Sequence, residues 1–274
     1  MKASELVLAP DGKLYHIHLD SSTLADKVLL VGDPGRIDMF KGIFESIEYE
    51  SYNREMHALT GRYHGSRLTA LSTGMGCDNI DIVMTELDVA AAGRRLQVVR
   101  IGTSGSLQAD IDCGSHVASA YAIGLDGLMN YYREWDTPLP VMEQAFDSHM
   151  GLDSHLAHPY CVQGSKLLLN KIATDMHRGI TATAPGFYGP QGRTIRLHPA
   201  IDNLNERLAS FSFDGTVVTN LEMETSAIYG FSHLMEHEAL TVCLIIANRP
   251  TGRFLNDYHP QMRQLVGTVV ERLT

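Results

Sequence analysis

Short β-branched runs recur along this 274-residue chain and alternate with segments of helical periodicity. Six of the runs are predicted strands, at residues 27–31, 67–72, 98–102, 116–122, 216–219 and 241–247. Strands that alternate with helices are typical of a mostly parallel sheet with helices packed on its faces. The pattern therefore predicts one α/β domain that spans residues 1–274, without repeats or a linker.

Apolar residues at helical spacing predict three helices, at residues 78–92, 224–237 and 259–273. The first lies between the second and third predicted strands, where it supplies the crossover that parallel strands require. Residues 124–161 follow neither period, and we expect a long irregular excursion beside the functional site. Within it, His155, His158 and Cys161 lack the second half of a metal-binding motif, so no metal site is predicted.

The composition is that of an ordinary globular protein, with 44% hydrophobic and 20% charged residues. The formal net charge of −10 argues against a general nucleic-acid-binding surface, because such surfaces need clustered lysine and arginine. We therefore expect no nucleic-acid partner. Any bound phosphate must meet a local cationic pocket.

The four cysteines, at positions 77, 113, 161 and 243, have no metal-ligand or paired spacing, which suits a reducing compartment. The N-terminal segment has no apolar core of the kind that a secretion signal needs. No run approaches the roughly eighteen apolar residues of a membrane span. We expect a cytoplasmic protein that does not associate with membranes.

Gln191 and Arg193 form a pair of side chains that can recognise the edge of a pyrimidine. Uracil presents a carbonyl, an N–H and a second carbonyl along one edge. Because an amide both donates and accepts hydrogen bonds while guanidinium only donates, Gln191 can pair with the N–H and one carbonyl. Arg193 then takes the other carbonyl and any developing negative charge. Taken alone, such a pair is much more often part of a polar surface loop.

Two glycine-containing turns after predicted strands have the residues of an anion site. Residues 32–36 (GDPGR) expose backbone N–H groups and add the charge of Arg36, although the same sequence is a common turn. Residues 100–105 (RIGTSG) place hydroxyls between glycines beside Arg100, which suggests oxyanion recognition. Arg100 can also extend to solvent or pair with an internal carboxylate.

Residues 220–224 (NLEME) place Glu222 and Glu224 at the junction of a strand and a helix. In an extended segment the two carboxylates share a face, and one of them can accept hydrogen bonds from adjacent ribose hydroxyls. Alternatively, they complement the dipole at the N-terminus of the helix. Arg54 lies in a polar stretch and, by itself, has the character of a surface residue.

These three motifs occur in order with two others, at residues 72–76 (STGMG) and 187–193 (FYGPQGR). Together the five motifs resemble the nucleoside phosphorylase family, and within it the uridine phosphorylases. The resemblance extends from roughly residue 14 to the C-terminus, with a poor match over the excursion. It implies a mixed twisted sheet, partly a distorted barrel, flanked by helices, in a protein that forms dimers or hexamers of dimers.

The resemblance implies that Gly32, Arg36, Arg100 and Thr103 bind phosphate. Arg54 is implied to reach the phosphate bound by the neighbouring subunit. The minimal active unit would then be a homodimer, which can in turn form part of a hexamer.

For ribose, the resemblance implies contacts from Met223 and Glu224, with Glu224 accepting hydrogen bonds from the sugar hydroxyls. His16 is implied to donate to the 5′-hydroxyl across the subunit interface. His18 is the alternative for that role.

For the base, Phe187 is implied to stack near the sugar and the ring, Gln191 and Arg193 to hold uracil, and Arg249 to support its carbonyl side. Purine-cleaving relatives place an aspartate near this last segment to protonate the purine. Because this chain has Asn248 and Arg249 there, the sequence favours a pyrimidine.

The implied reaction is phosphorolysis, in which phosphate attacks C1′ of uridine and releases uracil and ribose 1-phosphate, as in pyrimidine salvage. Phosphate is a co-substrate, and we expect no cofactor, because the protein only has to position the anion and stabilise charge. Arg193, Gln191 and Glu224 are the expected catalytic residues. The alternatives are a nucleosidase or a purine nucleoside phosphorylase of the same fold, and a non-catalytic nucleoside-binding protein.

Overall fold

The computed structural model of the protein describes residue 2 and residues 4–274. Its strands belong to one mixed sheet. They are β1 (Lys27–Val31), β2 (Ser46–Asn53), β3 (Met56–Tyr63), β4 (Ser66–Ser72), β5 (Gln97–Ser106), β6 (His116–Gly124), β7 (Tyr160–Gln163), β8 (His177–Thr183), β9 (Ser212–Phe213), β10 (Thr216–Glu222), β11 (Glu238–Asn248) and β12 (Arg253–Phe254).

The α-helices flank this sheet. They are α1 (Ile37–Lys41), α2 (Cys77–Ala91), α3 (Pro140–Met150), α4 (Lys166–Ile172), α5 (Leu204–Ser210), α6 (Thr225–Leu234) and α7 (His259–Leu273). Short 3-10 helices occur at Pro34–Arg36, Leu128–Tyr131 and Gly189–Gln191. Over residue 2 and residues 4–274, each helix is too short or too polar to cross a bilayer.

The sheet closes partly on itself because β5 pairs with three strands. Its first residues pair in parallel with β1, its last residues pair antiparallel with β10, and β11 runs parallel along it from end to end. From β10 the pairing continues through β8, β6 and β11 back to β5, which closes a small barrel. On the other side, β1 leads to β4, β3 and β2 as an open extension. The mixed, partly barrel-like fold with flanking helices is confirmed.

The alternation of strands and helices predicted a mostly parallel sheet, and this was wrong for the open extension. There β2, β3 and β4 follow one another through short turns, which forces antiparallel pairing. The hairpin was missed because most side chains of β2 are polar and exposed, so the strand lacks apolar alternation.

Apolar residues on both faces explain why the central strands were predicted correctly. Val28 and Leu30 of β1 pack under α2 and α6, while Leu29 and Val31 on the opposite face pack towards α4 and α7. A strand that is covered on both faces appears in the sequence as a continuous run of apolar residues. β1 and α7 have the predicted bounds, whereas β5, β6, β10 and β11 continue beyond theirs towards the functional site.

Residues 124–161 are more regular than predicted, since they contain a 3-10 helix and α3. Pro140 begins α3, where its fixed φ suits the first helical turn. Met142, Phe146 and Met150 recur every four residues and are buried. The helical period was therefore present, but it is short and follows a proline-rich stretch.

Gly61→Ala is expected to destabilise the hairpin of β2 and β3. A Cβ at this position would overlap the carbonyl oxygen of Ser46 and the ring of Phe44, and the forced shift costs about 1–3 kcal/mol. Urea unfolding at a fixed protein concentration measures the change in the free energy of unfolding. Gly267→Ala is the control, because a Cβ there meets nothing within 4 Å and alanine is the better helix former. Equal stability of both variants would contradict the crowding at residue 61.

Candidate active site

The motifs identified in the sequence meet at the carboxyl ends of β1, β4, β5, β10 and β11. The N–H of Gly74, after β4, donates to the carbonyl oxygen of Gly32, after β1, at 3.0 Å. The N–H of Gly76 donates to Glu224 Oε1 at 2.7 Å. Gly76 has a φ of 95°, a conformation that glycine adopts readily. These bonds join the phosphate motif at residues 32–36 to the proposed ribose ligand Glu224.

Arg100 forms the buried centre of this arrangement. Its guanidinium lies 2.9 Å from Glu222 Oε2 and also pairs with Glu224 Oε2. All three residues are nearly inaccessible to solvent. Of the alternatives for Arg100, pairing with an internal carboxylate is confirmed. Only its Nε remains buried without a hydrogen-bond partner.

The two glutamates have different surroundings. Glu222 accepts from the N–H groups of Glu224 and Thr225 at 3.0 and 3.1 Å, and from the Thr183 hydroxyl at 2.8 Å. It therefore holds the N-terminus of α6, as the helix-terminus alternative predicted. Glu224 turns instead towards Arg100 and Gly76.

Two carboxylates share one cation here, and this arrangement affects the protonation of Glu224. Burial raises the pKa of Glu224; Arg100 opposes this effect and the neighbouring Glu222 adds to it. Although burial alone would lower it, the pKa of Arg100 is raised by the two carboxylates. Arg100 therefore stays charged, and when both glutamates are ionised the group carries one more negative charge than positive charge.

Arg36 is a buried cation without an acidic partner. The residue is 8% exposed, and over residue 2 and residues 4–274 no carboxylate lies within 4 Å of its guanidinium. Its Nε has no hydrogen-bond partner, and the Tyr258 ring centroid lies 5.7 Å from its central carbon. The N–H of Gly35 donates to Asp33 Oδ1 at 2.8 Å. Residues 32–36 therefore also form the turn that is common for this sequence. A buried charge without a partner is costly, so the surroundings of Arg36 are suited to an anion.

The loop at 187–193 orients its own recognition side chains. Arg193 donates to Gln191 Oε1 at 2.5 Å and to the carbonyl oxygen of Phe187. The Arg193 guanidinium also stacks on the Phe187 ring, 3.8 Å from its centroid. Because an amide oxygen has two lone pairs, Gln191 keeps one acceptor position and both N–H donors. The pair is therefore preorganised rather than a disordered surface feature.

Arg249 joins this loop to the sheet. Its Nη2 donates to the carbonyl oxygen of Gln191 at 3.1 Å, and its backbone N–H donates to Ser106 at 2.9 Å. Burial, and then the neighbouring Arg249, lower the pKa of Arg193 to about 10. Burial also lowers the pKa of Arg249. Within the described part of the chain neither arginine pairs with a carboxylate, so this end of the site is cationic.

Asn248 does not face the site, which corrects one argument from the sequence. Its amide group donates to the carbonyl oxygens of Gln108 and Ile111 at 3.0 and 2.9 Å, and its oxygen accepts from Thr251. Because both ends of its amide are hydrogen-bonded within this turn, Asn248 does not indicate whether the base is a purine or a pyrimidine. Any preference for pyrimidines must rest on the neighbouring arginine and on the 187–193 loop.

His16 is better placed than His18 to meet a substrate. Both ring nitrogens of His18 have partners, with Tyr49 Oη at 3.1 Å and Asp11 at 3.4 Å. His16 Nδ1 lies 2.6 Å from Glu86 Oε1. When the ring is neutral, Nδ1 carries the proton and donates a hydrogen bond to Glu86. Nε2 then has a free lone pair. A neutral His16 would then accept from a 5′-hydroxyl rather than donate to it, the reverse of the expected direction.

Arg54 and His16 share one surface. Arg54 is exposed at the turn between β2 and β3, and the preceding Asn53 donates to the carbonyl oxygens of Tyr15 and His16 at 2.6 and 3.3 Å. The two residues expected to act on the neighbouring subunit are thus held together. Thr103, on β5, is partly exposed.

Met223 lies between the two glutamates and is partly exposed. Its carbonyl oxygen accepts from the Cys77 thiol at 3.2 Å. This contact fixes the short segment between β10 and α6 against the start of α2.

A cavity of about 1060 Å³ adjoins the 187–193 loop. Tyr188, Pro190 and Arg193 line it from the loop, and Leu125 and Leu156 line it from the excursion. The excursion therefore lies beside the 187–193 loop, and Arg193 is the candidate site residue in the wall of this cavity.

Two contributors to the site were not identified from the sequence. They are Glu86, which orients His16, and Tyr258, which covers Arg36. Glu86 left a signal, since it is a carboxylate on the otherwise apolar buried face of α2. Tyr258 depends on a contact distant in sequence. Gly76 belongs to the motif at residues 72–76, but its bond to Glu224 could not be predicted.

Replacing Arg100 by methionine is expected to destabilise the protein by about 3–5 kcal/mol, because two buried carboxylates lose their cation. Glu224→Gln is the comparison, since it leaves Arg100 paired one-to-one with Glu222, and it should cost much less. Urea unfolding at fixed protein concentration measures both. Similar losses in the two variants would contradict the charge imbalance described above.

The raised pKa of Glu224 also predicts a pH dependence. The native state binds this proton more tightly than the unfolded chain, so the resulting stabilisation is complete below the ordinary value of 4.5 and is lost as the pH rises. Wild type should therefore lose stability relative to Glu224→Gln between about pH 5 and pH 8. The same unfolding measurement at both pH values tests this, and a constant difference would rule it out.

Comparison with known proteins agrees with this geometry. A sequence model of the Phosphorylase superfamily matches residues 26–273. The uridine phosphorylase of Thermococcus kodakarensis is 28% identical over 247 residues, which are 89% of this chain and 80% of the relative. The purine nucleoside phosphorylase DeoD-type of Oceanobacillus iheyensis is 27% identical over 245 residues, with coverage of 86% and 88%.

A crystal structure gives the same result. A Trypanosoma brucei nucleoside phosphorylase, described as showing uridine phosphorylase activity, superposes with a TM-score of 0.87 and 28% identity over 98% of both chains. Since the family match spans nearly the whole chain, including every strand of the site, the protein belongs to the phosphorylase superfamily and is a member of the nucleoside phosphorylase family.

Proposed function

We propose that the protein is a uridine phosphorylase, which uses phosphate to cleave uridine into uracil and ribose 1-phosphate. The observation that supports phosphorolysis most directly is Arg36, a buried guanidinium after β1 that has no carboxylate partner among the described residues. A dianionic phosphate would satisfy it. A nucleosidase, which activates only water, has no need for such a charge.

At the phosphate end, Arg36 and the segment after β1 would bind the anion together with Thr103 of β5. Arg100 would contribute less directly than the sequence implied, because its guanidinium is held by two carboxylates. Its Nε is buried without a hydrogen-bond partner among the described residues. The protein itself supplies no nucleophile, and inorganic phosphate would be the co-substrate without a further cofactor.

In the middle of the site, Glu224 would accept hydrogen bonds from the ribose hydroxyls, beside Met223. The excess negative charge of Glu222 and Glu224 over Arg100 has a second consequence. As the glycosidic bond breaks, the sugar becomes oxocarbenium-like and positive, and a preorganised carboxylate nearby stabilises that charge. Ribose in the ground state is neutral, so the carboxylate stabilises it less than it stabilises the positively charged transition state.

At the base end, Gln191 would pair with the N–H and one carbonyl of uracil. Arg193 and Arg249, which have no carboxylate partners among the described residues, would stabilise the negative charge that moves onto the departing ring. A purine leaves most easily after protonation, which two guanidiniums disfavour. This electrostatic argument supports uridine as the substrate.

The relatives support the same substrate, with one competing possibility. The Thermococcus protein is named a uridine phosphorylase and the Trypanosoma structure is described as having that activity. The Oceanobacillus relative, which is nearly as similar, is named a purine enzyme. Purine cleavage is therefore the alternative to be tested. The proposed role in the cell is pyrimidine salvage in the cytoplasm.

We further propose that two subunits complete each site. Arg54 is exposed, has no carboxylate within 4 Å among the described residues, and lies on one surface with His16. Both would reach the partner's phosphate and 5′-hydroxyl across a two-fold axis. The homodimer would then be the minimal active unit.

The function is tested by assaying base release from uridine, thymidine and inosine, with and without phosphate. Uridine is expected to react fastest, inosine negligibly, and omission of phosphate should abolish turnover. Equal rates without phosphate would indicate a nucleosidase, and faster cleavage of inosine would indicate a purine enzyme. Binding of uridine without turnover would overturn the proposal of an enzyme.

Shared sites are tested by coexpressing an Arg36→Gln chain with an Arg54→Ala chain. Each homodimer should lose on the order of 100-fold or more in kcat/KM for phosphate. A random mixture of chains should recover about a quarter of wild-type activity, because half of the dimers are hybrids and each hybrid has one intact site.

The matched control pairs Arg36→Gln with a chain that has both substitutions, since this mixture forms no intact site. Arg263→Gln, an exposed position on α7, controls for a general loss of positive charge. Full activity of the Arg54→Ala homodimer, or no recovery in the mixture, would exclude a shared site.

A further inference from the structure

A second cavity, of about 320 Å³, lies at the amino ends of β5 and β11, the opposite end of these strands from the candidate active site. Its walls come from the end of α6, the start of α4 and the Pro138–Leu139 step that follows Trp135. This volume is at the lower end of the range for small-molecule sites. The cavity is distinct from the active site, since Ser232 in its wall is about 12 Å along α6 from Glu224.

Two buried side chains in this wall have unused hydrogen-bond donors. Ser232 is 3% exposed, and its hydroxyl has no hydrogen-bond partner among the described residues. His237 is 8% exposed, and its Nε2 likewise has no hydrogen-bond partner within that part of the chain. Asp88 lies 3.4 Å from that nitrogen without completing a hydrogen bond. The N–H of His237 donates to the carbonyl oxygen of Ser232 at 2.9 Å, so the two residues are fixed side by side.

The proton on His237 can be assigned from its other nitrogen. The N–H of Leu96 donates to Nδ1 at 3.4 Å, which therefore accepts and leaves the proton on Nε2. Burial lowers the pKa of His237, against the opposing effect of Asp88, so the ring is neutral at pH 7. Both unused groups are thus donors, and a ligand that satisfies them must supply acceptors.

The charges around the cavity also favour an anionic acceptor. Arg95 pairs with Glu238 at 2.7 Å, which leaves this pair nearly neutral. Lys166 lines the cavity, and over residue 2 and residues 4–274 no carboxylate lies within 4 Å of its ammonium group. Asp88 limits the total negative charge that can be accommodated. His233, whose ring faces that of Trp135, completes the polar wall.

We propose that this cavity binds a small organic oxyanion of a few carbon atoms, either a carboxylate or a phosphate monoester. One oxygen would accept from Ser232 and His237, and Lys166 would balance the charge. Pro138, Leu139 and Ala239 would contact the carbon skeleton. The proposal does not depend on the reaction catalysed at the other end of the strands.

The test uses intrinsic fluorescence, because Trp135 is the only tryptophan and its ring centroid lies 6.0 Å from that of His233. The intact protein, in phosphate-free buffer, is titrated separately with succinate, glycerol 3-phosphate and inorganic phosphate. Saturable binding with a Kd below about 1 mM is expected for at least one of the first two. Isothermal titration calorimetry repeats each titration, so that binding without a change in fluorescence is also detected.

Substitutions locate the binding. Ser232→Ala and Lys166→Gln should each weaken it by about tenfold or more. Lys171→Gln, on the same helix but outside the cavity, should leave it unchanged, and so should Arg36→Gln, which removes the proposed catalytic phosphate ligand. Unchanged uridine turnover in Ser232→Ala shows that this variant is folded.

The outcomes separate the ligand classes. Binding of succinate alone identifies a carboxylate site, and binding of glycerol 3-phosphate alone identifies a phosphate monoester site. No saturable binding in any titration, or equal affinity in Ser232→Ala and Lys166→Gln, would overturn the proposal. Loss of binding in Arg36→Gln would assign the signal to the active site and would equally overturn it.

Discussion

The site depends on one buried ionic interaction, between Arg100 and the carboxylates of Glu222 and Glu224. Ion pairs in a low-dielectric interior are stable only when their geometry and remaining hydrogen bonds are satisfied. Here Glu222 receives the N-terminal N–H groups of α6, and Glu224 receives the N–H of Gly76. The same few bonds therefore join β5, β10, α6 and the turn after β4. Any substrate contact made by Glu224 is preorganised by them.

Around this centre, charge is distributed along the site in a way that matches phosphorolysis. Arg36 at one end and Arg193 and Arg249 at the other have no acidic partners within the described residues, whereas the middle has more carboxylate than cation. An entering phosphate, a positively charged sugar and a departing uracil anion would meet charges of the opposite sign in that order. Electrostatic preorganisation of this kind often accounts for most of an enzyme's rate enhancement. The proposed reaction follows from the pattern and not from any single residue.

Much of the fold could be predicted because its central strands are buried on both faces and appear in the sequence as apolar runs. β2 was missed since its side chains are mostly polar and exposed, and α3 since its three buried apolar residues follow a proline-rich stretch. The candidate site residues were selected by motif, but their contacts could not be predicted. Asn248 turns into its own loop, and His16 takes its orientation from Glu86, seventy positions away along the chain.

By itself, the sequence determined the order of the strands, the types of side chain at their carboxyl ends and membership of a family, because these depend on local periodicity and on short motifs. Tertiary structure decided which charges are neutralised. Arg36 and Arg100 look alike in sequence, since each lies near glycines towards the end of an apolar strand. Within the described part of the chain, however, Arg36 has no acidic partner and Arg100 is held by two glutamates. That difference arises only when β10 is placed beside β5, since the energy of a buried charge depends on its neighbours in space.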